Sequence, residues 1–402
     1  MELPIVYVAI PAMDELQDLP LTLQDLARQT YVPNLKVYVC VNQPETYWQN
    51  PEKISICLHN EQLMYYLQHF QGLEVNVIDK SSKGHGWVGK DYGVGWARKY
   101  LFECILSECQ PCDIIVSLDA DTRIQPNYIQ TLVENLEHHP HIPAIAVPYY
   151  HPLSGIEAQD RALLRYEMYM RNYAINLMHI QSPYGFTAIG SAIAMRAKAL
   201  RKIGGITPLK SGEDFYLVQK FRKMAPIGNY NEEIVYPAAR LSDRVVFGTG
   251  PAIIKGTQGE WSSYPIYSHQ LFEPISEAYS LIPELFQKEA HCEFIDSLNK
   301  KQNEEDAWHT IRQNTKDLVH FELAFHEKAD GLRILQFLRQ KHKKSPIRDE
   351  KALFENMSLW THNRIPNWYS ADKKFNEYTV KELNELRNLL FALEMELRKT
   401  SN

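Results

Sequence analysis

Short apolar runs separated by helical periods dominate the first 250 residues. Ile5 to Ile10 is one such run, closed by Pro11. An unbroken apolar run of this kind marks a buried strand. Leu35 to Val41 reads as a second strand and Leu73 to Ile78 as a third, and Ile114-Ile115-Val116 opens a fourth. Between them Leu19, Leu23 and Leu26 recur at helical spacing, with Pro20 tolerated in a first turn, and Tyr92 to Leu106 predicts a second helix. Strand, helix and strand in repeated succession predict an α/β fold with a mostly parallel sheet flanked by helices. Farther on, Ile156 to Ile180 reads as a long helix and residues 188–195 as a small, apolar segment. Ala197 to Ile203 is a short helix closed by Gly204-Gly205, and Phe215 to Phe221 another helix.

After Gly250 the pattern changes. Strand alternation disappears and long helical periods take over. The clearest starts at Thr379, with Val380, Leu383, Leu386, Leu390, Leu393 and Leu397 on one face. Thr379 and Glu382 have capping-box spacing, and Tyr378 with Leu383 has that of a hydrophobic staple. The expected organisation is an α/β domain over residues 1–250 and a mainly helical domain over 251–402.

Composition narrows the function class. Charged residues make up 23% of the 402, which is ordinary for a globular protein, and the formal net charge of -6 argues against a dedicated nucleic-acid binder. No apolar run reaches the 18 or so residues of a membrane span, and the N-terminus has no signal-peptide pattern. Six cysteines do not make a disulfide framework, so the expected location is cytoplasmic. Cys109 and Cys112 form a lone CxxC that lacks two further zinc ligands at suitable spacing. His138, His139 and His141 lack a helical ligand pair and read as a surface turn.

The chemistry concentrates in DIIVSLDADTRIQPNY, residues 113–128. Strand alternation extended through Asp119 and Asp121 turns both carboxylates to one face, at the carboxyl end of a buried strand, where open α/β sheets bind ligands. Two ionised carboxylates make a poor core, but a good port for a hard divalent cation carrying phosphates.

Residues 84–91, GHGWVGKD, satisfy both the dinucleotide pattern GxGxxG and the start of a P-loop, GxxxxGK, with the strand to Asp119 as a Walker B mimic. Asp91 stands where a P-loop needs Ser or Thr. A dinucleotide site expects an acid about 20 residues on, at a strand end, but Asp113 precedes its strand and Asp119 is 30 residues past Gly89. A third reading is a turn whose glycines permit close backbone approach, with Lys90 contacting a nucleotide or diphosphate. A fourth is a connection with no ligand.

Taken in order, several segments resemble the family 2 glycosyltransferases of the GT-A fold, a Rossmann-like nucleotide-diphospho-sugar transferase architecture. Residues 9–15, AIPAMDE, look like the family's opening strand. Gly95-Trp96-Ala97-Arg98 is similar to its G-x-A-R helix, with Lys99 in place of the usual asparagine. Asp119-Ala120-Asp121 looks like its DxD motif, and Gly190 to Arg196 followed by Gly204-Gly205 resembles a further stretch. Gly212-Glu213-Asp214 looks like the ED motif that supplies the base. The resemblance spans roughly residues 4–250. Val41-Asn42-Gln43-Pro44 departs from it, because an aspartate is usual there for the nucleotide base.

The resemblance implies an inverting transfer from a nucleotide-diphosphate sugar to an acceptor hydroxyl, assisted by Mn2+ or Mg2+. Asp121 is then the expected direct metal ligand, and Asp119 a ribose contact or a second-sphere ligand. Asp214 is the expected base, with Glu213 its alternate. Pro11, Ala12, Glu15, Asn42, Lys90 and Arg98 are expected around the donor, with Arg240 and Arg244 clamping the diphosphate. The acceptor would be carbohydrate or lipid-linked, and Arg339 to Lys344 would allow peripheral contact with an anionic membrane; a solvated helix end is the simpler reading. Tyr166, Tyr169 and Tyr173 share a helical face that reads first as packed core and second as a sugar-stacking surface. The C-terminal helices are expected to cover the acceptor side. The rivals are a nucleotidyltransferase of similar fold, a P-loop-like ATP-binding protein using residues 84–90, and a donor-binding protein without turnover.

Overall fold

The computed structural model describes residues 3–31, 34–240, 248–301 and 307–400. Two compact units emerge. The first holds the residues up to Ile156 and Thr187–Ile254; the second holds Glu157–Phe186 and those from Lys255 on. The chain therefore leaves the first unit for one helix, Glu157–His179, and returns.

The first unit is built on eight strands among the described residues: β1 (Val6–Ala12), β2 (Leu35–Asn42), β3 (Val75–Lys80), β4 (Ile114–Ser117), β5 (Thr122–Ile124), β6 (Ala144–Ala146), β7 (Ile193–Arg196) and β8 (Val235–Pro237). Six form one sheet in the order β3-β2-β1-β4-β7-β6. β1 pairs in parallel with β2 and β4, and β2 in parallel with β3. β7 runs antiparallel to both β4 and β6. The expectation of a mostly parallel, helix-flanked sheet holds. Its apolar runs are where burial is complete: every residue of β1 and β4 is buried, whereas β3, at the edge, is half-buried throughout.

β5 and β8 form a separate antiparallel pair, with Thr122 opposite Pro237 and Ile124 opposite Val235. This small ribbon brings the residues after Pro237 back beside the end of β4. Nothing in the periodicity of three-residue strands announces it.

The second unit is helical. Helix Val380–Thr400 begins as its capping box predicts: the Thr379 N–H donates to Glu382 Oε2 at 2.6 Å, and the Glu382 N–H donates to Thr379 Oγ1 at 3.2 Å. It packs on Glu157–His179 through buried ion pairs. Arg171 bonds Glu167 and Glu394, Arg387 bonds Glu167, and Arg398 bonds Glu394. No helix among the described residues is long and apolar enough to cross a membrane.

Candidate active site

Arg98 is the hub of the acidic centre. It lies on helix Val94–Glu108, which packs against β1 and β2, and its side chain is almost completely buried. Nη2 donates to Asp119 Oδ1 at 2.5 Å and Nε to Glu213 Oε1 at 3.1 Å. Nη1 donates to Ser117 Oγ at 2.6 Å and to the Gly190 carbonyl at 3.0 Å. Three segments far apart in sequence thus converge on one guanidinium. Its pKa is raised further, because attraction from Asp119 and Glu213 outweighs burial.

Two glycines make this approach feasible. A Cβ on Gly190 would sit 2.2 Å from Arg98 Nη2, and one on Gly95 would sit 2.1 Å from the Leu209 carbonyl oxygen. Both belong to motifs singled out in the sequence.

β4 stops at Ser117, two residues before Asp119. The aspartates therefore lie on the turn into β5, where the Thr122 N–H donates to the Asp119 carbonyl at 3.2 Å. The strand-face expectation is corrected here: on a turn the two carboxylates find different partners. Asp119 joins Arg98. Asp121 Oδ2 instead meets Arg240 Nε at 2.9 Å. Arg240 also pairs with Asp18 at 2.8 Å and with Glu15. It is held there by the β5–β8 ribbon, whose end is tied down by the Ala238 N–H on the Asp121 carbonyl at 3.2 Å. The neighbouring carboxylates raise the Arg240 pKa against its partial burial. Arg244, expected beside it, lies outside the described residues.

Glu213 and Asp214 open helix Glu213–Met224, with Gly212 as N-cap at φ 78°. Glu213 is buried and clamped by Arg98. Asp214 is half-buried, and its Oδ1 accepts the Phe215 N–H at 2.7 Å. Burial pushes the Asp214 carboxyl up to about 7, and repulsion from Glu213 and Asp119 adds to it, while Arg98 and the Phe215 N–H pull the other way.

The remaining expectations fare unevenly. Pro11 and Ala12 are buried in β1, and the Ala12 carbonyl accepts from Asn42 Nδ2 at 2.9 Å. Asn42 Oδ1 in turn accepts from Trp87 Nε1 at 3.2 Å. Both ends of that amide are engaged inside the protein, which leaves it poorly placed to read a base. The glycine-rich loop is likewise committed. The N–H groups of Gly84 and Gly86 donate to the Glu45 carboxylate at 2.8 and 2.9 Å, and Trp87 exchanges backbone bonds with Gln43 and Glu45. These amides cradle a carboxylate, so they cannot also cradle a phosphate, and the P-loop and dinucleotide readings lose their physical basis. Lys90 is exposed on this loop. Ser117, Asp18 and Trp87 were missed. Ser117 stands two residues before Asp119, a spacing that could have suggested it; the other two have no local signal.

Comparison with known proteins finds a family model that matches part of the chain. Residues 88–204 match the family described as Glycosyl transferase family 2. A search of curated proteins gives no match. Among solved structures, TarS residues 1–349 from S. aureus in complex with UDP-GlcNAc is 11% identical, with 98% of this chain and 90% of that chain covered and a TM-score of 0.42. A longer TarS crystal structure is 12% identical at a TM-score of 0.38; 98% of this chain is covered, but only 54% of that one. The mannosyltransferase PcManGT from Pyrobaculum calidifontis, in complex with GDP-Man and Mn2+, is 13% identical, with 98% and 86% covered and a TM-score of 0.35.

Proposed function

We propose that this chain, whose residues 88–204 carry a family 2 glycosyl transferase segment, transfers a sugar from a nucleotide-diphosphate sugar to an acceptor hydroxyl with inversion. One observation carries the reading. Arg98 binds Asp119 and Glu213 at once, so the acids of two separate motifs meet at the carboxyl ends of β1 and β4, with Asp214 beside them.

The residues divide the work. Asp214, half-buried next to an ionised pair, is the base. It takes the proton of the acceptor hydroxyl as that oxygen bonds to the anomeric carbon and the bond to the diphosphate breaks. Glu213 is fixed by Arg98 and serves to position it. Arg240, which faces three carboxylates, turns to the diphosphate when the donor enters and offsets its charge.

The oxygen-rich set of Asp121, Glu15 and Asp18 around a guanidinium fits a hard cation. Among the described residues no three such side chains converge closely enough to hold an ion by themselves. A Mn2+ or Mg2+ ion would be held by Asp121 and completed by donor oxygens, supplying Lewis-acid stabilisation of the leaving group. All six cysteines are free, which suits a reducing, cytoplasmic setting. The acceptor is carbohydrate or lipid-linked.

The test is a calorimetric titration of UDP-, GDP-, dTDP- and CMP-sugars, ATP and NAD, each with and without manganese. One sugar nucleotide should bind only with manganese, and Asp121→Ala should abolish that binding. Binding of ATP or NAD alone would overturn the proposal, as would pyrophosphate release during turnover.

A further inference from the structure

The helical unit contains a second constellation that the transfer chemistry does not use. Tyr166, Tyr169 and Tyr173 on helix Glu157–His179 face Tyr264, Tyr267 and Phe272. Ring centroids are 5.1 Å apart for Tyr166 and Tyr264, 5.6 Å for Tyr169 and Tyr264, and 6.3 Å for Tyr173 and Tyr267. Tyr166, Tyr264 and Tyr267 are buried, while Tyr169 and Tyr173 remain half-buried.

This is not simply a satisfied core. The hydroxyls of Tyr264 and Tyr267, Oγ of Ser268 and Nη1 of Arg165 are buried without a hydrogen-bond partner. Each such group costs roughly 1–3 kcal/mol if left unmade, and four in one neighbourhood call for a reason. Arg339, exposed on helix Gly331–Lys344, supplies one. Its positive charge acts on Tyr169, Tyr173, Tyr264 and Tyr267 together, against the burial that raises all four phenols. Arg339 therefore lies within electrostatic reach of all four phenols. Of the acids that act on these phenols, Asp349 is already neutralised: it pairs with Arg165 through Oδ2 and accepts the Ile266 N–H at 2.8 Å through Oδ1, while Glu260 acts on Tyr264. His342 packs edge-on against Tyr267, its pKa lowered by burial.

We propose that this cluster binds an anionic saccharide. Aromatic faces at Tyr169 and Tyr173 suit the apolar face of a pyranose, and unpaired hydroxyls suit its hydroxyl groups. Arg339 pairs with a carboxylate or phosphate on the sugar; in swinging towards it, the arginine uncovers the phenols beneath. The shared chemistry is a negatively charged pyranose, whether a uronic acid or a sugar phosphate.

The experiment is calorimetric titration of the full chain, without nucleotide, against a glucuronate-containing oligosaccharide, glucose 1-phosphate and neutral maltotriose. At least one anionic probe should bind saturably and more tightly than maltotriose; which of the two binds identifies the source of the charge. Arg339→Met should weaken that binding at least tenfold and Tyr267→Phe several-fold, and Asp121→Ala should leave it unchanged. Equal binding of maltotriose, no binding by any probe, or full affinity in Arg339→Met would overturn the proposal. Loss of glucose 1-phosphate binding in Asp121→Ala would assign it to the first unit instead. The readout needs no turnover, so it stands or falls separately from the transferase proposal.

Discussion

Asp214 has the environment of a base tuned to neutral pH. Lifting a carboxyl from 3.8 to about 7 means that the folded chain binds a proton, between those values, that the unfolded chain does not. Stability from this group is therefore present at low pH and is lost as pH rises through about 7. Ionisation for catalysis runs the opposite way, so transfer should rise with pH along a limb centred near 7. Asp214→Asn should lower kcat by about 10²–10⁴-fold and remove both dependences, as read from pH–rate profiles and from thermal midpoints at pH 5 and 8. A limb near 4 would mean that Asp214 is solvated and that another group takes the proton. At this scale the sequence was informative about identity and poor about partners. Asp119, Glu213 and Asp214 could be singled out from their motifs. That Asn42 is consumed by Trp87 and Ala12 could not, because the bond to Trp87 spans 45 positions and arises only from folding.

Short elements, not long ones, decide what the acidic centre can do. The β5–β8 ribbon is three residues wide on each side, yet it carries Arg240 to Asp121. Arg240→Ala should weaken manganese-dependent binding of the sugar nucleotide by about tenfold or more, the worth of a charge-assisted hydrogen bond, measured by calorimetry. Unchanged affinity would reduce Arg240 to a structural ion pair. The turn after Ile189 matters in the same way. In Gly190→Ala the new methyl would lie 2.2 Å from Arg98 Nη2, so either the guanidinium or the turn must move. Transfer should fall at least tenfold while the circular dichroism spectrum stays unchanged, since a 1 Å misplacement in a catalytic constellation is enough to cost 10²-fold. The sequence pattern exposed the four segments that became β1–β4; for β1 and β4 the reason is that continuous burial leaves a continuous signal. It could not expose β5 and β8, whose pairing joins segments more than a hundred residues apart and whose three-residue length holds too few positions for any period to show.

At the scale of the whole chain, order in sequence and order in space part company. Helix Glu157–His179 lies between two segments of the first unit, yet its buried charges are neutralised by the last helix of the second. Its apolar period was visible in the sequence, whereas the destination of Glu167 and Arg171 was not, since charges inside an amphipathic pattern normally read as solvated. Glu394 is the keystone of this arrangement: 1% exposed, it accepts from Arg171 at 2.6 Å and from Arg398 at 2.7 Å. Replacing it by glutamine keeps the shape but removes the charge that Arg398 meets and one of the two carboxylates that Arg171 meets. Breaking a buried pair from one side costs about 3–5 kcal/mol. In a unit of this size that corresponds to a fall in thermal midpoint of roughly 6–20 °C. Scanning calorimetry of Glu394→Gln should show it. Transfer per folded molecule at 20 °C should stay near wild type, because Glu394 belongs to neither acidic cluster of the first unit. A midpoint unchanged by the substitution would mean that water already reaches these charges. A normal midpoint with lost transfer would instead tie the last helix to the chemistry itself.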